Sequence, residues 1–597
     1  MKLITKLLLY ATLFAVANVG VCFAGTVTIK PGANIPSEVA SNPAGTTFLI
    51  YPGTYRLTTP INAKTGDSFV GQTTCAPPKT SCPAILSGSR VLSSFQRSGN
   101  YYYVTGQTQQ GDVNTARCDT DYPGCSYPED LFFDGKPLTH VTSLSDVVSG
   151  SWYFDYGANT IYFIDNPSGH TVETSFVPAA FEFSSANNVT IKYLTVKEFA
   201  TPILTGAIEG GSTGVGTTNQ GANWVVEYNE VLLNHSEGIH PNFGWQIINN
   251  YVHNNGELGI SAGLGGGNSD GSGSTNSNVL IQGNEISFND YAHVAPHYGA
   301  GGAKFGKTIG LVFRNNNVHD NEGSGIHLDT YNKNFLIDGN TFSNNTENGI
   351  FDEVSYASTA RNNTFSGNGY DHPNSNEWMY ATGILSATSQ GLVAYCNTVN
   401  VSSEGGNGIG MLYQTRANEV VSINNNYHHN AVVFEGSTGW VGAMTDSPTD
   451  PTQQNFYKSN TFDNNWYHMP GTSRQAFAWN TKKMDTFATF QAAGQEKHGT
   501  VDTYYTISVP TVKITSPADQ STVSGTVAVN ATAADTGMAV SKVEFYVDWA
   551  LKSTDTSSSY SYNLNTAGLA SGQHTLTALA YNADGVRACY AVTVNIK

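Results

Sequence analysis

Lys304, His327, Asp329 and Glu353 are titratable side chains at matched distances behind glycines, in a chain whose charged residues make up only 12%. Counting from Gly302, Gly325 and Gly349, the next residue is Ala303, Ile326 or Ile350. The second is Lys304, His327 or Phe351, and the fourth is Gly306, Asp329 or Glu353. Side chains alternate faces along a strand, so an apolar first position turned inward puts the second and fourth outward. Asp329 and Glu353 are 24 residues apart in sequence. If that is one turn of a stacked repeat, strands about 4.8 Å apart place the two carboxyls at roughly 5 Å. That separation suits glycoside cleavage with retention, one carboxylate attacking the sugar and the other acting as acid and then base. Close carboxylates also drive one pKa upward, as a general acid needs. Lys304 can hold a sugar hydroxyl or keep Asp329 ionised, and His327 can shuttle a proton. The same count behind Gly238 gives His240 and Asn242 as substrate contacts, to which Asp352 is added. Trp378 and Trp440, in long loops, offer rings for sugar stacking.

Such a set needs a rigid repeating frame, and the sequence carries one. An apolar residue is followed three positions later by Asn and two after that by another apolar or aromatic residue. The triads are Val226/Asn229/Val231, Ile247/Asn250/Val252, Ile281/Asn284/Ile286, Phe313/Asn316/Val318, Ile337/Asn340/Phe342, Ala360/Asn363/Phe365 and Ala394/Asn397/Val399. Ile423/Asn426/His428 and Tyr457/Asn460/Phe462 close the series. The Asn-to-Asn steps are 21, 34, 32, 24, 23, 34, 29 and 34 residues, the short ones bare coils and the long ones coils that carry a loop. Short strands between Asn and Gly turns at this period predict a β-solenoid. The Asn residues are read as scaffold. They tolerate the left-handed corner conformation and can bond to one another along the axis.

At 597 residues the chain exceeds one ordinary core. Residues 1–24 read as a secretory signal, with Lys2 and Lys6 before an apolar run from Leu7 to Val21. The solenoid is expected over 25–505, with an inserted β subdomain at 95–177 and a capping helix at 485–494. From about 511 to 597 short alternating strands predict a separate sandwich. No stretch reaches the length of a membrane span, and a net charge of −18 disfavours nucleic acid. Cys75 with Cys82 and Cys118 with Cys125 are each seven apart in Pro- and Thr-rich stretches, which favours two loop disulfides over zinc. Cys396 and Cys589 lie in strand-like segments and are expected to be buried free thiols.

Phe48-Leu49-Ile50-Tyr51-Pro52-Gly53 resembles the opening coil of pectate-lyase-like β-helices. The runs from Gly301, Ser324 and Gly349 resemble the core of bacterial right-handed β-helix repeat proteins. The sandwich resembles bacterial immunoglobulin-like domains. These resemblances imply an all-β chain: a right-handed single-stranded parallel β-helix with an inserted β subdomain and a C-terminal Ig-like β-sandwich. By similarity to β-helix glycoside hydrolases of the β-xylosidase type, Asp329 would be the nucleophile and Glu353 the acid/base, with no cofactor. The expected partner is a polysaccharide or oligosaccharide, handled by a secreted monomer. The sequence lacks the Asn-Thr-Asp, Gly-Asp-Asp, Gly-His-Gly and Arg-Ile-Lys motifs by which polygalacturonases resemble one another. A lyase or uronate epimerase with Lys304 as base, and Ca²⁺ held by Asp329, Asp352 and Glu353, is the second reading. A non-catalytic glycan-binding surface protein is the third.

Overall fold

The computed structural model describes residues 25–111, 113, 118–211, 220–263, 278–295, 299–370, 379–415, 421–447, 454–479 and 485–597. The expected signal segment and Trp378 lie outside them. Residues from Thr26 to Asp502 form a right-handed parallel β-helix whose faces are parallel sheets of 13, 13 and 10 strands. From Thr190 onward a typical coil gives one short strand to each sheet, while the earliest coils give none to the third. In one coil these are Val312–Arg314, Asn317–His319 and Ser324–Asp329. Coils stack in register, with Val312 beside Leu336, Asn317 beside Thr341 and Ile326 beside Ile350. The inward residues therefore form apolar columns. Phe313, Ile337 and Ala360 belong to one, and Val318, Phe342 and Phe365 to another, all fully buried. The Phe342 and Phe365 rings stack at 5.1 Å, so a single residue choice repeats as a packing unit along the axis.

The corner between the first and second sheets carries the Asn ladder. Each Asn donates through Nδ2 to the Oδ1 of the next: Asn229 to Asn250, Asn284, Asn316, Asn340, Asn363 and Asn397 in turn. The ladder then runs to Asn430 and Asn465, not to Asn426 and Asn460. Asn426 instead lies in a strand of the first sheet, and Asn460 accepts from Asn425 at the corner between the third and first sheets. The ladder residues also do not hold the left-handed conformation expected of them. That belongs to the residue just before each, such as Asn249, Gly283, Asn315, Gly339 and Asn362. The division is physical: the preceding residue makes the turn, which leaves the ladder amide free to point inward and bond along the axis. A second ladder, five residues further on, runs from Asn234 through Asn255, Asn289, Asn321 and Asn345 to Asn368.

Two small sheets of four and five strands interrupt the early coils between Ser89 and Ser175. They pack on Trp152, Phe154, Ile161 and Phe163. The short helix Phe487–Ala492 closes the far end, burying Phe487 and Phe490 against Phe477 and Phe462. Residues 511–596 form a sandwich of three- and five-stranded sheets around Val529, Phe545, Leu564 and Leu576. Among the described residues no helix is long and apolar enough to cross a membrane.

Disulfides join Cys75 to Cys82 and Cys118 to Cys125. Cys396 and Cys589 are not free thiols. They form a third disulfide that ties the sandwich to the solenoid. Cys396 occupies the left-handed corner position that Asn or Gly holds in most other coils, where its side chain meets the neighbouring domain. Arg361 reinforces the junction, bridging Asp338 at 3.1 Å and Asp519 at 2.8 Å. Asn362 donates to the Ala591 carbonyl and accepts from the Ala591 N–H, both at 2.9 Å.

Candidate functional site

The third sheet positions the site. Its strands Gly301–Gly306, Ser324–Asp329 and Ile350–Glu353 lie side by side. Lys304 pairs with His327, and His327 with Phe351. Ala303, Ile326, Leu328 and Ile350 fill the core, so Lys304, His327, Asp329 and Glu353 are forced onto the outer face. One nitrogen of His327 and one oxygen each of Asp329 and Glu353 lie within 4.8 Å of one another.

The two carboxylates stand in different company. Asp329 receives Lys304 Nζ at 3.1 Å and the Thr330 hydroxyl at 2.8 Å. Burial pushes its pKa up, but the charges of His327 and Lys304, helped by that hydroxyl, win and hold it at about 2. Glu353 Oε2 instead faces His327 Nε2 at 3.0 Å. Phe351 stacks on the His327 ring at 4.4 Å and fixes its plane. Exposure separates the pair further: the side chain of Asp329 is 25% exposed, that of Glu353 11% and that of Lys304 4%. The arrangement offers an ionised carboxylate open to a ligand, with a second carboxyl beside it coupled to an imidazole.

Toward the C-terminal end the outer face turns apolar. Phe351, Met379, Leu385, Leu412 and Met444 form a buried cluster, with Tyr380 and Trp440 packed against it. Trp440 is thus committed to packing rather than presented as an open stacking platform. Toward the N-terminal end, Glu209, His240, Ser261 and Lys304 continue one column. His240 is fully buried, with Nδ1 at 2.7 Å from Glu237 and at 3.2 Å from the Ser261 hydroxyl. Burial opposes its charge, yet Glu209 and Glu237 raise it to about 9. Glu209 accepts from the N–H groups of Gly206 and Gly211.

Three expected substrate contacts therefore need correction. His240 is sealed within this acidic nest. Asn242 is buried, with Nδ2 donating to the Gly210 carbonyl and Oδ1 accepting from the Phe243 N–H. Asp352 is the third residue behind its glycine and points inward. It is 1% exposed, and burial raises its carboxyl to about 7. None of the three offers a group to a bound chain, nor can Asp352 join a cation site on the outer face. Glu209 and Glu237 were missed because Glu209 precedes the Gly-Ile pattern and Glu237 stands one residue before its glycine.

Residues 264–399 match the family described as right handed beta helix region, and residues 510–578 match the bacterial Ig domain family. No curated protein matches the chain. Among solved structures, the fibronectin(III)-like modules of Clostridium thermocellum CbhA are 28% identical with a TM-score of 0.14. That overlap covers 17% of this chain, which spans 50% of the module chain. A structure described as a glycoside hydrolase is 10% identical with a TM-score of 0.35, covering 68% of this chain and 96% of its own. An endo-beta-1,4-mannanase from Thermotoga petrophila is 13% identical over 28% of this chain and 39% of its own, with a TM-score of 0.14.

Proposed function

We propose that the protein is a secreted carbohydrate-active enzyme, a retaining glycoside hydrolase acting on a polysaccharide. One observation carries the reading: Asp329 and Glu353 stand on adjacent coils of the outer face with oxygens within 4.8 Å, yet in opposite surroundings. Retention needs that spacing and that asymmetry. In the first step the Asp329 carboxylate attacks the anomeric carbon. The glycosidic C–O bond breaks as Glu353 gives its proton to the departing oxygen. In the second, Glu353 takes a proton from water, whose oxygen displaces Asp329 from the sugar. Lys304 and Thr330 keep the nucleophile ionised, and His327 orients Glu353. Secretion is supported by the apolar run behind Lys2 and Lys6 and by three disulfides, which persist outside the reducing cytosol.

The test is reducing-sugar release from xylan, mannan and mixed-linkage glucan. Asp329→Asn and Glu353→Gln should each lower it by at least about a hundredfold, the scale on which general acid–base catalysis acts. Full activity in both variants overturns the assignment. The alternative, a lyase with Lys304 as base, draws support from an ammonium beside the carboxylates. It would give ultraviolet-absorbing unsaturated products instead. His327, Asp329 and Glu353 suit Ca²⁺ poorly: calcium takes six to eight oxygens, whereas one of these donors is nitrogen and Lys304 lies 3.1 Å from another.

A further inference from the structure

A cleft of about 820 Å³ opens between the second solenoid sheet, the connecting residues 503–510 and the sandwich. It lies away from the third sheet, which carries the carboxylates. Its floor includes the Cys396–Cys589 disulfide, so the walls are held at a fixed separation. From the solenoid it receives Asn315, Thr364, Thr398 and Asn400. Thr364 and Thr398 sit in register on adjacent coils, their neighbours Phe365 and Val399 being the residues turned into the core. Tyr505 and Tyr590 enter from the opposite side. Among the described residues, no hydrogen bond uses the side chains of these six, whereas the amides of the inner ladders are committed to one another. Glu435 and Lys513 bring one charge of each sign to the lining.

We propose that this interdomain cleft is a second, non-catalytic binding site for an uncharged oligosaccharide segment. Free amides and hydroxyls at the spacing of stacked coils match a ligand dense in hydroxyls, and tyrosine rings offer apolar faces with a polar edge. The near-neutral lining disfavours a polyuronate. A cleft welded open by a disulfide and by the Arg361 bridges loses little freedom on binding. The site would hold a polymer at a distance from the third sheet.

The experiment is calorimetry on the full chain carrying Asp329→Asn and Glu353→Gln, so that failure of the hydrolase reading and failure of this one are distinguishable. The probes are xylohexaose, cellohexaose, mannohexaose and hexagalacturonate. At least one neutral hexaose should bind, and Tyr505→Ala or Asn400→Ala should weaken it at least tenfold. Thr364→Ala, on the solvent side of its strand, keeps the test open if a tyrosine variant fails to fold. Absence of binding by all three neutral hexaoses overturns the proposal. So does binding that survives every cleft variant, or a preference for hexagalacturonate.

Discussion

At the residue scale, the outer-face chemistry is a matter of who stands next to each carboxylate. Asp329 is ionised down to about pH 2 because two cationic neighbours outweigh its burial. A carboxylate whose folded pKa is depressed adds stability above its ordinary value near 3.8, and that stability is lost as pH falls toward 2. On the hydrolase reading, the acid limb of the rate profile should therefore lie below pH 4 in the native protein. Lys304→Met removes one of the two charges while leaving burial in place. Its acid limb should move upward by about one unit or more, the usual range for loss of a nearby opposite charge. A pH profile of kcat/KM checks this, and an unmoved limb would show that Lys304 does not hold Asp329. Alternation behind the glycines made Lys304, His327, Asp329 and Glu353 legible in sequence. It did not reveal depth. His240 and Asn242 satisfy the same count, but their burial depends on early coils and acidic neighbours that no local pattern discloses. Asp352 is different: the count itself assigns it to the interior.

At the element scale, the coil was legible because each one solves the same problem of turning a corner with buried polar backbone. The ladder shows why Asn recurs and also where the pattern misleads. Asn340 is 1% exposed and donates to the Phe313 carbonyl at 2.9 Å and to Asn363 Oδ1 at 2.9 Å. Its Oδ1 accepts from the backbone and side-chain nitrogens of Asn316. Asn340→Ala removes all of these side-chain bonds from a site closed to solvent, although Asn363 Oδ1 keeps the Asn340 N–H and Asn316 Nδ2 keeps the Ile281 carbonyl. The expected loss is about 2–4 kcal/mol, since each buried group left unpaired costs roughly 1–3 kcal/mol and relaxation recovers part. Asn426 fits the same sequence triad but lies in a strand, where among the described residues its Oδ1 accepts only from the Thr461 hydroxyl. Asn426→Ala should change stability by no more than about 0.5–1 kcal/mol. Urea denaturation of the two variants measures the difference, and equal losses would remove the ladder's claim to hold the coils. The late slip of register has a plain cause. Near residues 423–432 two triads compete, Ile423/Asn426/His428 and Tyr427/Asn430/Val432, and only the pairing of neighbouring coils decides between them.

At the scale of the whole molecule, a sandwich was readable from strand spacing, but its attachment was not. Cys396 and Cys589 are separated by 193 residues, and nothing local in either segment names the other. Arg361 likewise reads as one more residue of an Asn-bearing coil until its Asp338 and Asp519 partners are seen. A trailing domain on a short connector is ordinarily free to move. Here the disulfide, the Arg361 bridges and the paired bonds between Asn362 and Ala591 make it part of the solenoid wall. Cys589→Ser should lower stability by about 2–4 kcal/mol, the usual worth of a disulfide, with an upper bound near 5 for so long a loop. The loss should appear as an earlier transition of the sandwich, separate from that of the solenoid. Limited proteolysis should then cut within residues 503–510, releasing a fragment that stays attached in the oxidised native chain until reductant is added. A single, unshifted transition in Cys589→Ser would mean that the remaining interface alone locks the two bodies together. The interdomain cleft would then owe its fixed width to Arg361 and Asn362 rather than to the covalent bond.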